Sequence, residues 1–97
     1  MPNIYPSSEI KELFKVILML KTEKEAENFF RDLLTLSEIK EFANRWQIIK
    51  LLCQGKSYLY IANKLKVSTT TVTRVAHWLH HGTGGYLTIA KKMGLTK

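Results

Sequence analysis

The sequence predicts an all-α fold of about six helices, and three features carry that expectation. Apolar residues recur at three- and four-residue intervals in successive stretches, and Ser or Thr stands ahead of most of them, where an N-cap belongs. Glycines then close the stretches, at Gly55, at Gly82, Gly84 and Gly85, and at Gly94. Ninety-seven residues hold too little interior for two independent cores and predict a single domain, residues 1–97. A helical chain of this size leaves roughly 35–40% of its unfolded surface exposed after folding, so it gains by borrowing core from a second copy.

Residues 1–7 read as an extended, proline-punctuated tail. Ser7 or Ser8 caps a first helix reaching Met19 or Leu20, with Ile10, Leu13, Phe14, Ile17 and Leu18 on one face and Glu9 near its positive end. Thr22 and Glu25 have capping-box spacing and open a second helix, whose apolar positions are Ala26, Phe29, Phe30, Leu33 and Leu34. Ser37, with Glu38 in the first turn, starts a central helix to about Gln54, and Gly55 stops it. Its broad stripe of Ile39, Phe42, Ala43, Trp46, Ile48, Ile49, Leu52 and Cys53 can meet more than one neighbour, so residues 8–54 are expected to form the core and dimerisation helices. Ser57 caps a short helix from Tyr58 to Leu65, Lys66 and Val67 turn, and Ser68 or Thr69 opens a helix reaching His80 or His81. After the glycine-rich break, residues 86–93 form a last short helix.

Hydrophobic residues are 45% and charged residues 24%, an ordinary globular mixture. The longest apolar run, Val16 to Leu20, is far too short to span a bilayer, so no membrane association is expected. Residues Met1 to Pro6 show neither a basic leader nor an apolar segment, and the expected location is the cytoplasm. The single cysteine, Cys53, sits among apolar neighbours and reads as a small buried hydrophobe.

Charge is distributed unevenly. All eight carboxylates lie between Glu9 and Glu41, whereas residues 42–97 hold nine Lys or Arg and none, giving +9 there against −2 for the remainder. A folded segment this long without an acid favours a polyanionic partner.

Residues 57–81 have the pattern of a helix-turn-helix. Ala62 is small where two helices must cross closely, and Ile61, Leu65, Val67, Val72 and Val75 close a miniature core around the crossing. The second helix keeps a polar outer face of Thr69, Thr70, Thr73, Arg74 and His77. Threonine offers hydroxyl and methyl groups to base edges, and Arg74 can pair with guanine or bind phosphate. Ser68 and its neighbouring threonines would be costly to bury but find acceptors on a phosphate backbone. Lys56, Lys64 and Lys66 flank this helix and are expected to fix register through phosphates, without reading sequence. Such turns usually carry glycine where Lys66 stands; a positive φ there would strain lysine by about 1 kcal/mol, so another turn conformation is open.

Leu34 to Glu38, Ala43 to Ile49, Leu51 to Gly55 and Thr71 to Arg74 together resemble the tryptophan-repressor superfamily, and more closely its Trp-repressor-related YerC/YecD type. The resemblance covers about residues 33–81. It implies an intertwined all-helical homodimer whose two reading heads meet successive major grooves of double-stranded DNA. It also implies a ligand pocket whose two arginines correspond to Arg45 and Arg74, with Leu34, Thr35 and Thr71 matching its lining. The departures fall in that pocket: Val75 replaces a glycine, and Trp78 replaces the serine that receives the ligand's amino group. The turn into the helix-turn-helix is also one residue shorter, and Ile61 replaces a polar residue. The pocket is therefore expected to be vestigial, with L-tryptophan not a corepressor and any other effector unknown. Arg45 then has two open roles, a residual anion-binding group or a partner of Glu41 one turn earlier.

His77 and His81 could offer two imidazoles on one face, but no carboxylate or second thiol lies near, so no metal is expected. No nucleophile with a base is visible, and neither an enzyme nor a cofactor is expected. The rival is a dimeric helical interaction module whose basic half meets protein or RNA.

Overall fold

Hydroxyl side chains start five of the six helices in the computed structural model, which describes residues 4–96. In order these are α1 (Ser8–Ile17), α2 (Glu23–Leu33), α3 (Leu36–Cys53), α4 (Tyr58–Leu65), α5 (Thr69–His81) and α6 (Gly85–Lys92). Each cap hydroxyl accepts an amide proton three residues on: Ser7 from Ile10 at 3.2 Å, Thr22 from Glu25 at 3.0 Å, Thr35 from Glu38 at 3.1 Å. Ser57 does the same for Tyr60 at 3.1 Å and Ser68 for Thr71 at 3.0 Å. Such a bond satisfies a helix donor that has no partner within the helix.

Three boundaries differ from the sequence expectation. The central helix is capped by Thr35, not Ser37, because Glu38 lies three residues after Thr35 and returns the bond, its Oε1 accepting the Thr35 amide at 2.9 Å. Reciprocal capping satisfies two donors at once and favours the earlier start. α1 ends at Ile17, short of Met19 or Leu20, where the amides of Met19 and Leu20 turn back to Val16 and Ile17 at 3.0 and 3.1 Å. The last helix begins one residue early, at Gly85, after Gly84 takes φ 91°.

The chain divides into two compact units, Met1–Ile39 and Lys40–Lys97. Among its described residues the first unit buries none, although Phe14, Leu18, Met19 and Leu33 are large and apolar. The second holds a closed core. Ile48, Ile49 and Leu51 of α3 meet Ile61 and Ala62 of α4 and Val72, Val75 and Leu79 of α5, with Leu65, Val67 and Tyr86 packed against them. An apolar stripe runs along α3 from Ile39, but burial begins only at Ile48; Phe42 stays half exposed. Among the described residues no helix is long and apolar enough to cross a membrane.

Candidate nucleic-acid interface

The turn between α4 and α5 fixes the geometry of the site. Lys66 lies at φ 58° and ψ 46°, so the left-handed conformation is kept although no glycine occupies the position. The Val67 amide then donates to the Ala62 carbonyl at 3.0 Å, closing α4, and Ser68 caps α5 two residues after the left-handed turn. Ala62, 5% exposed, has the small side chain that a close crossing needs.

On α5 the buried residues are Val72, Val75, Ala76 and Leu79, at successive intervals of three, one and three, which keeps them on one face. That spacing leaves Thr69, Thr70, Thr73, Arg74 and His77 exposed. Locked by its apolar side, the helix presents these five side chains on a fixed backbone. Lys56, Lys64, Lys66 and Ser68 are exposed as well, so every residue assigned to DNA contact from the sequence reaches the surface.

Their hydrogen bonds divide the labour more finely than the sequence did. The Ser68 hydroxyl serves the cap and also lies 3.0 Å from the Thr71 hydroxyl. The Thr73 hydroxyl donates to the Thr69 carbonyl at 2.9 Å, which leaves its methyl and an oxygen that can only accept for a partner. Lys56 places Nζ 5.4 Å from the centre of the Tyr60 ring, a cation–π contact that holds the ammonium near the start of α4.

Electrostatically the face is one-signed. From Lys40 onward the sole carboxylate side chain is Glu41, and it pairs with Arg45 at 2.8 Å, one helical turn away. Arg45 also lies 5.9 Å from the Phe42 ring. Of the two roles open for Arg45, the structure displays the pairing with Glu41.

The residues matched to a ligand pocket are distributed as follows. Thr35 is a helix cap, and Leu34 ends α2 with its carbonyl accepting from Arg31 at 3.2 Å. Within the second unit Arg45 lines a cleft of about 240 Å³ with Phe42, Trp46 and Tyr86. Trp78, 54% exposed, lines another of about 350 Å³ with Thr83, Gly85 and Tyr86. Val75 is in neither: it is 4% exposed and belongs to the core. Thr71 is half-buried and Arg74 exposed. Tyr86, shared by both clefts, was not legible as a site residue; its only signal was an aromatic at the start of a short helix. The rings of His77 and His81 are 5.2 Å apart, and no cluster of three or more metal-ligating side chains occurs among the described residues.

The family model for the Trp repressor protein matches residues 8–94. The chain is similar to YerC of Bacillus subtilis (strain 168), itself an uncharacterized protein, at 37% identity over 78 residues, which is 80% of this chain and 75% of that one. It is similar in structure to a TrpR like protein from Eubacterium eligens ATCC 27750, with a TM-score of 0.88 and 35% identity over 95% of each chain. A second solved structure, from Staphylococcus aureus, gives a TM-score of 0.86 at 34% identity over 94% of this chain and 91% of its own.

Proposed function

The chain belongs to the Trp repressor protein family, and from that premise we propose that it acts as a cytoplasmic homodimer that binds double-stranded DNA sequence-specifically, a repressor-like transcriptional regulator without tryptophan as corepressor. The observation that carries this is α5 itself. Val72, Val75, Ala76 and Leu79 pin one side of it, while Thr69, Thr70, Thr73, Arg74 and His77 stand outward from a segment without a carboxylate. The α4–α5 pair is then a helix-turn-helix, α5 its reading helix in the major groove, and Lys56, Lys64 and Lys66 its phosphate contacts.

The homodimer is supported by the first unit, whose apolar helices bury nothing among their described residues. Large exposed apolar faces mark surfaces made to be covered, and a symmetric second copy presents the same faces in return. Independence from L-tryptophan is supported by Val75 and Trp78, where the family's pocket has glycine and serine. Val75 adds an isopropyl group, and Trp78 removes a hydroxyl and adds an indole.

Selection from randomised duplexes with the purified chain and no added ligand tests the proposal. The expected result is one roughly palindromic site preferred over random duplex by about 4–10 kcal/mol. Equal binding of all duplexes, or preference for RNA or a protein, would instead support the interaction-module alternative. Calorimetry with free L-tryptophan is expected to give no heat of binding, and a micromolar constant would refute that part.

A further inference from the structure

Three histidines, His77, His80 and His81, stand near the end of α5, and all three are exposed. Helical spacing sorts them. His77 and His81 are four residues apart and share a face, whereas consecutive residues such as His80 and His81 do not face each other. The rings follow that spacing: their centroids are 5.2 Å apart for His77 and His81, and 6.4 Å for His80 and His81.

The shorter distance has a chemical meaning. An ion held by two imidazoles at about 2.0–2.1 Å in a tetrahedral bite keeps their ring centroids about 5 Å apart. His77 and His81 are already spaced for one ion. Rotation about χ2, a broad torsion in histidine, selects which ring atoms face inward and leaves the centroids where they are. The backbone beneath the pair is fixed too. Val75, Ala76 and Leu79 bury the opposite side of α5, and the Gly82 amide donates to the Trp78 carbonyl at 3.0 Å, which keeps His81 in the last helical turn.

The surroundings select the class of ion. Hard cations such as magnesium and calcium are held by several oxygen ligands. From Lys40 onward the sole carboxylate side chain is Glu41, and Arg45 engages it. Neutral imidazole instead suits zinc, copper and nickel, and binds them without a counter-charge. No cluster of three or more ligating side chains occurs among the described residues, so the pair cannot make a closed structural centre. What it can make is an open one.

We propose that His77 and His81 form an open two-imidazole site for a divalent transition cation of the zinc class, with water completing the coordination. The site belongs to the free chain and does not depend on the reading of α5.

The test adds zinc chloride to the full chain at neutral pH, without DNA, and follows the imidazole resonances. Those of His77 and His81 are expected to shift together and saturate at one ion per chain, while His80 stays in place and magnesium chloride moves none of them. His77→Gln and His81→Gln are each expected to weaken zinc about tenfold or more, because the second contact of a chelate is intramolecular and is lost with either ring. His80→Gln should leave the affinity unchanged, and the amide spectrum of each variant reports whether the exposed substitution has kept the fold. Equal shifts of all three rings, a shift of one ring alone, absence of saturation, or undiminished zinc binding by a folded His81→Gln chain, as the Cys53 thiol would give, would each overturn the proposal.

Discussion

The amide of Val67 donates to the carbonyl of Ala62 at 3.0 Å, across a Lys66 held at φ 58°. That closure requires a residue in the left-handed region, where a Cβ costs roughly 1–2 kcal/mol and glycine costs nothing sterically. Glycine loses about 0.4–1 kcal/mol through the freedom it adds to the unfolded chain. Lys66→Gly is therefore expected to raise unfolding free energy by about 0.5–1 kcal/mol in urea titrations, and Lys66→Val to lower it. The same glycine variant removes a proposed phosphate contact, so its DNA affinity should fall and its salt slope lessen by about one. A variant both more stable and weaker on DNA would separate the two demands on this position; one that is less stable would show that the turn is not strained.

Thr35 and Glu38 satisfy each other's backbone amides, and this changes what Thr35 is for. Thr35→Ala is expected to cost about 1 kcal/mol of stability, the usual value of an N-cap. The Thr35 amide and then its hydroxyl hold the Glu38 carboxyl below its ordinary value of 4.5. A depressed folded-state pKa means a contribution fully present above 4.5 and lost as pH falls through the lower folded value. Acid titration of stability should accordingly show a component in that window that Glu38→Gln abolishes. Identical acid limbs for the two proteins would remove the carboxylate from the cap.

This pair also shows where sequence reasoning stopped. Ser37 and Thr35 both precede the apolar stripe of α3, and Glu38 was credited to the wrong one; only the three-residue spacing to Thr35 decides between them. The order and number of helices were legible, because periodicity and glycine stops are local signals. The exposed face of α5 was legible for the same reason: once Val72, Val75 and Leu79 face inward, Thr69, Thr73 and Arg74 have nowhere to go but outward. The internal bond from Thr73 to Thr69 was not, since a hydroxyl's rotamer is set by local geometry that no pattern reports. Spacing placed Val75 in the core, as the structure has it, but did not tell that Trp78, three residues along the same helix, lies half exposed.

On α5 the committed proton of Thr73 limits what that residue can offer DNA. Its methyl remains free while its oxygen can only accept and so offers nothing to a phosphate, and Thr73→Val, which keeps the methyl, is expected to cost less DNA affinity than Thr73→Ser, which keeps the hydroxyl. Arg74 carries no such commitment among the described residues. Arg74→Ala should cost about 1–3 kcal/mol at one base position if it reads guanine, or fall evenly across sequences if it binds phosphate. Unchanged affinity for every duplex would remove Arg74 from the interface.

Gly82 ends α5 at φ −86°, so its requirement is space rather than a left-handed backbone. A Cβ there would collide with the carbonyl oxygen of Trp78 and come within 3.0 Å of Cε3 of the indole. Because the carbonyl receives the Gly82 amide at 3.0 Å, the helix end cannot retreat without breaking that bond. Gly82→Ala is expected to destabilise by about 1–3 kcal/mol and to change the fluorescence of Trp78, as overpacking does. An alanine variant with native stability and an unaltered indole spectrum would mean that the turn relaxes freely.

The first unit makes the demand for a partner quantitative. Phe14 is 42% exposed and Leu33 46%, on two helices that bury no residue of their own, and Leu18, which follows α1, is 83% exposed. Helices of about ten residues are marginal in water unless an apolar face is covered, so α1 and α2 should persist only where a second copy covers them. If folding and association are coupled in this way, the thermal midpoint must rise with protein concentration. Phe14→Arg should lower that midpoint and shift the sedimenting species toward monomer, because a guanidinium in an apolar interface leaves an uncompensated charge. A midpoint independent of concentration, with a monomer at every loading, would mean that the apolar faces of α1 and α2 are covered by something other than a second copy.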